Sequence, residues 1–213
     1  MKSLLSLVPL FELLAVSSIV VSCSNSEARF AKEIPGVWQG TPETFSDNSA
    51  ITATIIDTYE FSPAAMTANE TLSGSVTVTG MVNTTTQIVG DSALIEPLSL
   101  SAAAHTSISG TWTVVDDDEI ALSFDPQSLV VNVDPDAVVA NNNPLALASP
   151  AVDSIRPDLC KTIEHGIRIA LTARYASMRH MDDVKVKGAL LKYESAHEDF
   201  VLTKQTKQTT SEI

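Results

Sequence analysis

The stretch Thr106 to Phe124 reads TSISGTWTVVDDDEIALSF, and its alternation decides the fold. Ile108, Gly110, Trp112 and Val114 fall on one side of an extended chain and Ser107, Ser109, Thr111 and Thr113 on the other, because successive side chains of a strand point to opposite faces. After four acidic residues, Asp116 to Glu119, the alternation resumes at Ile120, Leu122 and Phe124. Two such runs around a polar turn predict a β-hairpin with one dry and one wet face.

The same period extends outward in both directions. Leu129, Val131 and Val133 alternate with Val130, Asn132 and Asp134 just after the turn residue Pro126, and predict a further strand. On the other side, Val76, Val78, Gly80 and Val82 oppose Ser75, Thr77 and Thr79. Before them Ile51, Ala53, Ile55, Tyr59 and Phe61 form one apolar row, in which Asp57 and Ile56 are misfits. Residues 84–104 lack one clear period, and a single strand around 94–103 is expected there. Residues 134–155 carry three prolines and three successive asparagines, the composition of a long insertion. A helix over 156–179 follows, with Asp153 or Ser154 as its cap, Pro157 in its first turn, and Leu159, Ile163, Ile167, Ala170, Leu171 and Met178 on one stripe. Asp183 to Tyr193 and Phe200 to Thr206 predict a closing hairpin with its turn near Ser195 to Glu198, ahead of a polar tail over 207–213. Consecutive antiparallel strands joined by polar turns predict one mainly β domain over 35–206, an eight-stranded antiparallel up-and-down barrel with one helix before the last hairpin. Closure of the barrel removes both exposed edges.

A chain of 213 residues, 44% hydrophobic, is long enough to bury a core of this kind. Its formal net charge of −13 argues against nucleic acid as a partner, which requires clustered Lys and Arg. Lys2 followed by the apolar run Leu4 to Val21 reads as a targeting segment over 1–22. Deleting it removes Lys2 and Glu12 together, so the charge stays at −13. Residues 23–34 read as a tether. With two cysteines in the chain, engaging Cys23 elsewhere leaves Cys160 as a buried small hydrophobe on the helix.

The run Val20-Val21-Ser22-Cys23 resembles a bacterial lipobox, which implies cleavage before Cys23 and lipid attachment there. Gly36-Val37-Trp38 and Gly110-Thr111-Trp112 resemble the strand starts of lipocalins and other calycins, where such a tryptophan plugs one end of the barrel; that role would fall to Trp38. Together with the late Leu190 to Leu202 hairpin, these motifs are similar to the calycin-like lipoproteins of Bacteroidetes. The resemblance implies a protein of the bacterial cell envelope, lipid-anchored at the outer membrane, and a binding module without catalysis is the expected function. A small apolar ligand, a glycan or another envelope protein would be its partner, or it would serve a structural role with no small ligand. Asp91-Ser92-Ala93 and Asp153-Ser154-Ile155 look like the O-glycosylation acceptors of that lineage, on Ser92 and Ser154.

On aromatic character, Tyr59, Phe61, Trp112, Phe124 and Tyr193 are the expected ligand lining. No nucleophile elbow, phosphate-cradling glycine loop or paired-cysteine spacing is present, so neither an enzyme nor a cofactor is expected. His180, Asp182, Asp183 and His197 could meet in a fold, but nothing in their spacing marks a metal site. The Asp116 to Glu119 turn and the Asp134–Asp136 pair lack the ligand spacing of a calcium loop and read as solvated turns.

Overall fold

The computed structural model describes residues 28–46, 51–68, 71–88, 98–142 and 150–206. A short helix α1 over 28–33 is followed by strands β1 (Gly36–Gln39), β2 (Glu43–Ser46), β3 (Ile51–Phe61), β4 (Ala65–Met66), β5 (Leu72–Ile88), β6 (Leu98–Val114), β7 (Ile120–Phe124), β8 (Val130–Val133) and β9 (Val139–Ala140). The long helix α2 (Pro150–Ser177) and strands β10 (His180–Lys187), β11 (Leu190–Ser195) and β12 (Glu198–Gln205) complete the domain.

Eight of the strands close an antiparallel barrel in the order β1-β3-β5-β6-β7-β10-β11-β12, with β12 returning to β1. Every neighbour in that circuit is also the next barrel strand along the chain, so the barrel is an up-and-down meander. The predicted hairpin is its centre: Gly110 faces Phe124, Trp112 faces Leu122 and Val114 faces Ile120 across β6 and β7. The inward row alternates as expected, with Ile108, Trp112, Val114, Ile120 and Leu122 all buried. Gly74 on β5 leaves room for the Trp112 indole, since a Cβ there would stand 2.5 Å from Nε1.

Four boundaries differ from the sequence expectations. The single strand expected over 183–193 is two, β10 and β11, paired as a hairpin about Gly188, which takes a φ of 61°. The separate strand expected over 94–103 is the first half of β6, which runs unbroken from Leu98 to Val114 and pairs with β5 from Ser73↔Thr113 to Ile88↔Leu98. Its small alanines, Ala102 and Ala104, carry the inward period that larger residues carry elsewhere. Residues 28–33 of the expected tether are helical, and Phe30 and Ile34 are fully buried, so this stretch belongs to the core. Helix α2 begins at Pro150, not after a cap at Asp153 or Ser154; proline is favoured in a first turn, where its missing N–H has no helical partner to lose.

The expected insertion contains ordered structure too. Residues 125–130, DPQSLV, and 134–139, DPDAVV, are two copies of one device. In each, an aspartate caps a 3₁₀ turn by accepting the N–H two residues on, at 2.9 Å. In each, an apolar residue, Leu129 or Val138, then drops into the core. The strands β7, β8 and β9 thus lie one after another along β6, interrupted by these turns.

Helix α2 covers the edge that β8 leaves unpaired with any strand but β6. Cys160, Ile163, Ile167, Leu171 and Tyr175 form its buried stripe, continued by Met178 just past its end. Its polar side chains meet exposed backbone: Val133 N–H donates to Glu164 at 3.0 Å, Arg156 donates to Pro135 O at 3.1 Å, and Arg168 donates to Leu129 O. A strand edge satisfied this way no longer templates aggregation. Cys160 is free and buried as expected, and burial pushes its thiol up, away from reactivity. Among the described residues, no helix is long and apolar enough to cross a membrane.

Candidate functional site

Strand β3 turns its odd-numbered residues into the barrel, which brings Asp57 inward between Ile55 and Tyr59 with its side chain 1% exposed. The misfit of the sequence pattern is therefore in phase, and a buried carboxylate demands a partner. Helix α2 supplies it. Arg174 donates through one guanidinium nitrogen to Asp57 at 2.6 Å and through the other to Glu43 of β2 at 2.7 Å. Tyr175 donates its hydroxyl to the second oxygen of Asp57 at 3.1 Å. Glycine at position 80 of β5 is what admits the carboxylate, because a Cβ there would lie 2.9 Å from Asp57 Oδ1 and 2.5 Å from Thr106 Oγ1. Burial pushes the Asp57 carboxyl up, and the Arg174 charge and the hydrogen bonds from Arg174 and Tyr175 oppose that push without cancelling it. Burial also works against the Arg174 charge, yet the neighbouring Asp57 and Glu43 hold it firmly protonated.

Beside this link the barrel wall opens. β1 pairs with both β3 and β12, but after Gly40 the chain continues as β2, which pairs with β3 alone. The gap holds a cavity of about 280 Å³. Phe45, Met178 and Phe200 give it apolar surface, and Glu43, Arg174 and Glu198 give it charge. Its rim includes Ala196 of the tight β11–β12 turn, in which Ala196 and His197 both take left-handed backbone with φ of 51° and 68°. Such turns favour Asn-Gly, and two residues with a Cβ there hold local strain of the kind that clusters at binding sites.

The residues expected to line a ligand occupy the core. Tyr59, Phe61, Trp112 and Tyr193 are each 3% exposed or less, and Phe124 is half-buried. Phe61 stacks on Tyr59 at 6.2 Å between centroids and meets Trp112 edge-on at 6.1 Å. Tyr193 stacks on Phe200 at 5.1 Å, and Phe124 packs on Tyr175 at 5.3 Å. Of these pairings, the one with Phe200 touches the cavity. Trp38 is fully buried; its indole donates to Ile34 O at 2.7 Å, and the Lys204 ammonium sits 4.8 Å above its ring. Ser154 lies within α2, while Cys23 and Ser92 lie outside the described residues.

Sequence reasoning missed Glu43, Arg174, Tyr175 and Phe200. A signal for Arg174 was present: it falls on the same helical stripe as Ile167, Leu171 and Met178, and a charge in an apolar stripe implies an opposite charge beneath it.

All three tyrosines of the chain are buried. Burial raises all three phenols above the ordinary 10.0. Above that pH the unfolded chain sheds protons that the folded chain keeps, so stability falls as pH rises. An alkaline titration followed by phenolate absorbance should show no step near pH 10.0 while the barrel is folded. The whole signal should appear with cooperative unfolding at higher pH; a step near the ordinary value with the fold intact would contradict this packing.

Comparison of the chain with protein-family models, with curated proteins and with solved structures finds no match.

Proposed function

We propose that this chain is a lipid-anchored lipoprotein of the bacterial cell envelope, tethered through Cys23, that binds a small amphipathic molecule without catalysis. The observation that carries the reading is the cavity of about 280 Å³ in the split between β2 and β12. Small-ligand sites are concave and mostly apolar, with a few fixed polar groups, and they favour the mouths of β-barrels. Phe45, Met178 and Phe200 would take the apolar part of the ligand. Arg174 already has two carboxylate partners, and Glu198 adds a further negative charge, so the polar part would be a hydroxyl or cationic group. The calycin-like shape and the Val20 to Cys23 motif support the same reading.

The barrel interior is the less favoured place for a ligand, since the aromatic residues expected there stack on one another. A second reading, docking of an envelope protein in a structural role, draws on Val130 and Val139. These hold equivalent places in the two Asp-Pro repeats and are 57% and 50% exposed. Native mass spectrometry of the chain purified from its own membranes separates the two. A ligand carrier shows a small-molecule mass beyond the polypeptide and its acyl groups. A docking component shows none and co-purifies with a second polypeptide in fixed ratio. Peptide mass spectrometry without an acyl group on Cys23 would remove the anchoring.

A further inference from the structure

The circuit of the barrel is thinnest between β7 and β10, which share two register pairs, His180↔Ala121 and Met181↔Ile120. Every other neighbouring pair in the circuit shares more. Across this seam stand Glu119, at the foot of β7, and His180 and Asp182 on β10. His180 and Asp182 are two residues apart and share the outward face, with the buried Met181 between them pointing in. One ligand atom from each of the three lies within 4.8 Å of the others, and His180 Nδ1 stands 2.6 Å from Glu119 Oε1. Three donors held about 2.0–2.2 Å from one ion stand about 3–3.5 Å apart, a spacing these partly exposed side chains reach by small rotations.

A hydrogen-bonded surface pair alone would explain His180 and Glu119, and such pairs contribute little. Asp182 brings a second carboxylate to that pair, so three side chains of the kinds that hold a transition ion meet at one point on the seam. Just past Asp182 the strand carries a bulge, with Asp183 in left-handed backbone at φ 52°. There Val184 N–H donates to Asp118 O at 2.8 Å, fixing β10 to the acidic turn that carries Glu119.

We propose that Glu119, His180 and Asp182 bind a divalent first-row transition ion that staples β7 to β10 and closes the weakest seam of the barrel. An imidazole with two carboxylates suits Zn²⁺ and its neighbours and not Ca²⁺, which takes oxygen ligands. Three protein donors leave a tetrahedral ion one position for water or a ligand atom.

The test is calorimetric titration of the full chain, free of any histidine tag, with Zn²⁺ and separately with Ca²⁺. Saturable binding of one Zn²⁺ per chain is expected, with a higher midpoint of thermal unfolding. His180 has a side chain 51% exposed, so H180A keeps the fold. It should weaken Zn²⁺ binding by about a hundredfold or more, because loss of a group that merely orients a ligand already costs 10–100-fold. D182N should weaken binding as well. H197N should bind like the parent, since His197 faces Glu194 at 3.8 Å in a different hairpin. Absence of saturable Zn²⁺ binding, equal binding by H180A, or tighter binding of Ca²⁺ than of Zn²⁺ overturns the site.

Discussion

Replacing Arg174 by methionine is expected to destabilise the protein by about 3–5 kcal/mol at neutral pH, the usual consequence of removing one partner of a buried ion pair. The methionine fills the volume, so the loss reports the Asp57 carboxylate left 1% exposed and without its counter-charge. A carboxyl whose folded-state value lies above its unfolded one holds its proton more tightly in the fold. Its contribution to stability is therefore lost as pH rises above the ordinary 3.8. R174M should exaggerate this, so its deficit against the parent should shrink as the pH is lowered toward that value. Adding D57N should recover much of the loss, because a neutral amide costs less to bury than an unpaired charge. Equilibrium denaturation of the parent, R174M, D57N and the double variant measures the coupling. Simple additivity of the two single variants would mean that α2 is held by its apolar stripe alone.

Trp112→Ala should cost a similar amount, about 3–5 kcal/mol, by deleting the largest inward side chain of the central hairpin. That is a large share of the roughly 5–15 kcal/mol that holds a domain folded, so the midpoint of thermal unfolding falls steeply. Trp112→Phe should be much milder, within about 1.5 kcal/mol, because most of the volume stays. It also removes an indole N–H that has no partner among the described residues. If the two variants proved equally harmful, packing against Phe61 would not be the reason for a tryptophan here.

The barrel was legible because a two-residue period survives in almost every strand, from Ala53 to Phe61 and from Ile108 to Leu122. Where the inward residues are alanines, as at Ala102 and Ala104, the period is present but too weak to read, and β6 looked broken. The second Asp-Pro turn was hidden for a different reason. Proline and asparagine signal departure from a strand, and nothing local says that the chain returns to the same neighbour. The polar link from α2 to β3 was half legible: Asp57 stood out as a charge in an apolar row, but its partner lies 117 residues away. The mouth cavity could not be read at all, since it arises where β2 and β12 fail to pair and no residue type marks a gap. The Glu119, His180 and Asp182 group shares that limit, because the carboxylate that completes it sits 61 residues before the histidine.

The most direct test of a ligand at the barrel mouth is to fill the mouth from its exposed side. Ser177 ends α2, lines the cavity and is exposed, so Ser177→Trp puts an indole into the space without touching the core. The variant, purified from membranes beside the parent, should lose the retained small-molecule mass in native mass spectrometry while unfolding at the same temperature. If S177W kept that mass at the parent's level, the molecule would be held elsewhere and the mouth would not be its site.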